Sequence, residues 1–146
     1  MSAAHAALGA AMVAVNLIAA ATGAWAWWRN ATSRAFWPLL RAGQGLAVLT
    51  AVDGLLLVAL GRDLPDLHLV YGLTPLAVSF LAEQLRLAAA DTVLDARGLE
   101  GSSAVALLPE SEQQGIVRAI LRREMGVMAS SAVVVALLGL RAAGWL

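Results

Sequence analysis

No Asp, Glu, Lys or Arg occurs before Arg29, so the chain opens with a long stretch free of formal charge. A hydrocarbon core of about 30 Å needs about 20 apolar residues at roughly 1.5 Å rise each, so this stretch can cross a membrane as one helix. Three more runs follow. Pro38 to Gly61 is interrupted only by Arg41 and Asp53. Leu67 to Ala82 carries no formal charge, and its helical pattern continues through Arg86. Met125 to Leu140 is shorter, but the flanking Arg122, Arg123 and Arg141 can snorkel and extend it. The expected fold is an all-α integral membrane protein. It is a four transmembrane helix bundle with spans of about 5–28, 38–61, 67–90 and 120–142. A short cytoplasmic helical elbow, about 91–119, joins the third and fourth spans.

Composition agrees. Of 146 residues, 60% are hydrophobic and 14% charged, with a mean hydropathy of +0.76. Soluble domains lie near about 45–50% and 25%. These values exclude a disordered chain and a nucleic-acid binder held by a basic surface, and the lack of any Cys excludes a disulfide-stapled miniprotein. Ten Arg, with no Lys, balance ten acids, so no net field steers the chain toward polyanions. Arg as the sole base, on an Ala-, Leu- and Val-rich background, points to a GC-rich bacterial genome and hence to the inner membrane.

The placement of the Arg residues gives a direction. Arg29, Arg34 and Arg41 flank the first connection, and Arg86, Arg97, Arg118, Arg122 and Arg123 flank the third. Only Arg62 and Arg141 fall on the other side. The positive-inside rule then puts the first and third connections in the cytoplasm and both termini outside. Trp25, Trp27, Trp28 and Trp37 become an inner aromatic belt, with Tyr71 and Trp145 at the outer boundary. Ala24–Ala26 resembles a signal-peptide cleavage site, but there is no basic n-region and three Trp crowd it.

The elbow reads as helix to Gly98 or Gly101, a Gly-Ser-Ser loop, then a new helix from Pro109-Glu110 with acids in its first turn. It is too small for an independent catalytic domain.

Polar groups inside a membrane are costly and therefore informative. Asp53 lies about 12 Å below the outer end of its span, at about 1.5 Å per residue, and needs a proton or partners there. Asn16, Thr74 and Ser131 sit at similar depth on the other spans, and the expectation is a hydrogen-bonded layer around Asp53. Such a layer is either interhelical glue or a proton or cation site for a transporter or channel. His5 and His68 begin two spans at the outer surface and could ligate haem or copper, with Met12 as a soft copper ligand. Each could equally make one local hydrogen bond. Pro75 has no N–H for the Tyr71 carbonyl and should kink the third span. In the inner half, Glu83 and Arg86 form an i,i+3 pair, Glu124 adjoins Arg122 and Arg123, and Gln44 is flanked by Gly43 and Gly45, suited to close helix approach.

No phosphate loop, His-Glu-x-x-His, Cys nucleophile or Gly-x-Ser-x-Gly is present. Helix-packing surface is plentiful and chemistry is sparse. The expectation is a non-enzymatic accessory or assembly subunit, embedded in the lipid bilayer, in a homo-oligomer or with other membrane subunits. A small haem b or copper protein built on His5 and His68, and a proton-coupled transporter or channel built on Asp53, are the alternatives.

Overall fold

The structure is a computed structural model that describes residues 2–63 and 67–146. The described residues form five helices and no strand: α1 Ala3–Trp28, α2 Phe36–Ala59, α3 His68–Asp95, α4 Ser102–Ala106 and α5 Glu110–Ala142. α1, α2 and α5 are long and apolar enough to cross a membrane. α3, expected as a fourth span, has the length at 28 residues but no stretch as apolar as the other three, because His68, Tyr71, Thr74 and Ser79 dilute its first half and Glu83, Gln84 and Arg86 follow. The expected elbow holds an additional helix, α4. Its five residues make barely more than one turn, too little for an apolar period to register in the sequence.

Local chemistry sets the helix starts. The Ser2 side chain accepts a hydrogen bond from the His5 backbone N–H, capping α1. Ser33 does the same for Phe36, and Pro38 falls in the first turn of α2, where no intrahelical N–H is required. α5 begins after Pro109 with Glu110 and Glu112 in its first turn, favourable near the positive end of the helix dipole.

The long helices stop alike. Past α2, Gly61 takes φ +76°, its N–H bonds the Val58 carbonyl, and the Arg62 N–H bonds that of Leu57. These bonds satisfy carbonyls that the helix end leaves without a partner. α1 ends with the same pair of bonds around Asn30, at φ 52°, a left-handed conformation that asparagine tolerates better than most residues.

α5 packs along both α1 and α3, and α1 also packs along α2. α2 meets α3 over a shorter length and barely touches α5. Chain direction alternates between these neighbours. The N-termini of α1 and α3 and the C-termini of α2 and α5 therefore share one end, where His5 meets Asp53 and His68 meets Ala142. The opposite end is marked by Glu83. Buried Phe36, Leu40, Met125 and Met128 fill the interior toward Glu83, and Met12, Val13, Ala47 and Val135 fill it toward His5.

Small residues permit the close packing. A Cβ added at Gly23 would lie 2.5 Å from the Phe36 ring and 2.9 Å from Ala129 Cβ. One at Gly43 would lie 2.7 Å from Asn16 Nδ2. Helices in lipid gain from such approach through van der Waals contact, because lipid tails supply no hydrophobic drive. Gly45, expected to help, faces open space. Arg29, Arg86 and Arg122 each lie over a Trp ring toward the Glu83 end, on Trp25, Trp37 and Trp27 respectively.

Candidate functional site

At the His5 end the helices part around a cavity of about 530 Å³, lined by α1, α2, α3 and the last turns of α5. His5 stands in the first turn of α1 and is 7% exposed. Gly54 makes room for it, since a Cβ there would come within 3.0 Å of His5 Cε1. His5 Nδ1 lies 3.0 Å from Asp53 Oδ2. The imidazole N–H is the donor in that pair and the carboxylate accepts.

His68 is the first residue of α3. Its Nδ1 lies 3.0 Å from the Ala142 carbonyl in the last turn of α5. A carbonyl can only accept, so Nδ1 carries the hydrogen, and Nε2 of the neutral ring keeps its lone pair. The two imidazole centres are 5.9 Å apart, with the rings tilted by 52°. Both rings line the cavity. Tyr71 lines it too, with the Arg141 guanidinium 5.5 Å from its ring centre.

The expected layer around Asp53 does not form. Asn16 donates to the Met12 carbonyl at 2.9 Å, Thr74 to Val70 at 2.6 Å and Ser131 to Met128 at 2.8 Å. Each polar group is satisfied by its own helix, three or four residues back. Equal depth along four helices says nothing about the direction in which each side chain points. Asp53 finds its partner in His5 instead. Met12, the proposed soft ligand, lies two turns further along α1 and is buried against Gly139, where a Cβ would sit 2.6 Å from Met12 Cε.

At the other end Glu83 collects three donors. Arg41 pairs with its carboxylate, Gln44 Nε2 donates to Oε1 at 3.0 Å, and Arg86 Nε donates to Oε2 at 2.9 Å. Arg41 also donates to Gln44 Oε1 at 2.7 Å. The pair Glu83–Arg86 is thus one edge of a network that ties α2 to α3. Arg41 belongs to it, although the sequence placed it only beside the first connection; its i,i+3 spacing from Gln44 was the available signal. Glu124 does not pair with Arg122, whose guanidinium lies over Trp27; it faces Arg86 at 3.9 Å.

Among the described residues no three His, Cys, Asp or Glu side chains gather to hold a bare metal ion. A buried and a half-buried imidazole, both lining a largely apolar cavity, form the chemically distinctive feature. Among protein-family models, curated proteins and solved structures, nothing matches this chain.

Proposed function

We propose that the chain is a four-span helical bundle of a bacterial inner membrane, with both termini outside. It has no catalysis of its own, and it holds a lipid-soluble ligand in its outer-end cavity. It serves as an accessory subunit in a homo-oligomer or beside other membrane subunits. The cavity carries this reading. At about 530 Å³ it lies within the roughly 300–1,000 Å³ of small-molecule sites, and a few polar groups converge on largely apolar walls.

Counting α3 as a span has physical support. It is antiparallel to both helices it packs on, and at about 1.5 Å per residue its length exceeds a bilayer core. Its first charges, Glu83 and Arg86, offset one another and Arg41. Eight Arg near one side against two near the other support the orientation. Transport through Asp53 has less support, because Asn16, Thr74 and Ser131 continue no polar row from it toward Glu83.

Native mass spectrometry of protein extracted with its surrounding lipid tests the proposal. The expected result is a retained small molecule together with a second copy or another subunit. Gly72→Trp and Gly9→Trp, at cavity-lining positions where an added Cβ meets nothing, should expel the small molecule. A bare, strictly monomeric wild-type chain would contradict the reading.

A further inference from the structure

We propose that His5 and His68 are the two axial ligands of a b-type haem. This rests on the ligand-holding reading of the cavity and names the ligand.

The first support is how each ring is held. Metal-ligating histidines nearly always donate their other ring N–H to a carboxylate, a backbone carbonyl or water, which fixes the ring and raises the basicity of the ligating nitrogen. His5 Nδ1 is held by the Asp53 carboxylate and His68 Nδ1 by the Ala142 carbonyl, both at 3.0 Å. Two unrelated acceptors on two different helices thus anchor the same atom of each ring. Among the described residues Nε2 of each ring has no other partner and keeps the lone pair that could bind a metal.

The second is access. His5 is buried, and among the described residues its Nε2 has no hydrogen-bond partner. Yet no buried side-chain nitrogen or oxygen among the described residues lacks a partner. Nε2 therefore opens onto the cavity that His5 lines.

The third is spacing. Metal–imidazole bonds of about 2 Å on opposite faces of one ion put the two ring centres about 6 Å apart. The observed separation is 5.9 Å.

The donor count then separates haem from a bare ion. Asp53 is committed to His5, and Met12 lies about 10 Å further along α1, at seven residues of roughly 1.5 Å rise. Among the described residues no third His, Cys, Asp or Glu joins the two imidazoles for a bare transition metal, and Met12 lines the cavity only at its deeper end. Haem brings four nitrogens of its own and asks the protein for two at most. The walls suit a flat apolar macrocycle: Val13, Leu55, Leu73 and Pro75 line the cavity, and Gly9 and Gly72 leave it unobstructed. Arg141, its guanidinium 5.5 Å from the centre of the cavity-lining Tyr71 ring and Nη1 donating to the Leu146 carbonyl at 2.6 Å, places a cation near the cavity, of the sign that haem carboxylates would favour.

The test is spectroscopic. The full chain is purified in mild detergent from cells supplied with iron and a haem precursor, and it is also titrated with hemin. The expected result is one haem per chain, with a Soret band and the electron paramagnetic resonance of low-spin bis-imidazole iron. His5→Ala and His68→Ala should each abolish that resonance. His68→Met should keep the haem with a His/Met spectrum and a raised potential, which a purely structural histidine would not produce. Asp53→Asn should keep haem but weaken binding by about 10- to 100-fold. Should the alanine variants fail to fold, the wild-type resonance and the His68→Met spectrum decide.

A wild-type chain without a Soret band after hemin addition overturns the proposal. So does a Soret band unchanged in the double His→Ala variant. A non-haem molecule, or copper without a Soret band, retained in native mass spectra overturns the haem assignment alone. A chain retaining nothing overturns the cavity reading as well.

Discussion

His5 on α1 and Asp53 on α2 are joined by a 3.0 Å contact between Nδ1 and Oδ2, 48 residues apart in sequence. That contact fixes the first turn of α1 against α2 and holds the imidazole over the cavity. Hydrogen bonds to charged groups contribute about 1.5–3 kcal/mol, and leaving a buried partner unsatisfied costs a similar amount. Asp53→Ala should therefore lower the thermal unfolding midpoint in detergent. The double variant with His5→Ala should lose less than the sum of the single losses. Additive losses would show that the two side chains are not coupled.

The glycines separate by what surrounds them. Gly23→Ala meets a ring on one side and a buried methyl on the other, and overpacking of this kind costs about 1–3 kcal/mol. Gly139→Ala meets only the ends of Met12 and Val13, one of them flexible, and should cost less. Gly45→Ala meets nothing and should gain up to about 1 kcal/mol of helix propensity. Thermal midpoints in one detergent check this order. A Gly45→Ala loss as large as that of Gly23→Ala would contradict the packing.

Glu83 is the shared acceptor of Arg41, Gln44 and Arg86, whereas Glu124 has one partner at 3.9 Å. Glu83→Gln should destabilise more than Glu124→Gln. The difference should be modest, because Arg41 is half exposed and exposed pairs contribute about 0–1 kcal/mol. Equal midpoints for the two variants would remove Glu83 from its central place.

Much of the architecture was legible from charge placement alone. Arg29 ends the first charge-free run one residue beyond Trp28, the last residue of α1, and Pro109-Glu110 marks the start of α5. His5 and His68 were legible as sharing one end, because helix direction alternates. The partners were not. Asp53 binding His5 depends on helix rotation and on the room left by Gly54, and neither follows from counting residues along a span. Asn16, Thr74 and Ser131 misled because a lone hydroxyl or amide in a helix can bond its own backbone at little cost. The Arg41–Glu83 pair needs the register of α2 against α3, which no local pattern encodes.

The proposed crossing of α3 is the central claim, since it would put the His5 and His68 end of the bundle on one side of the membrane. The chain has no Cys, so a single introduced thiol reports unambiguously on its side of the membrane. Asp63→Cys and Ser103→Cys bracket α3. With a membrane-impermeant maleimide, Asp63→Cys should label on intact spheroplasts, and Ser103→Cys only after permeabilisation. Labelling of both from the same side would contradict a fourth crossing.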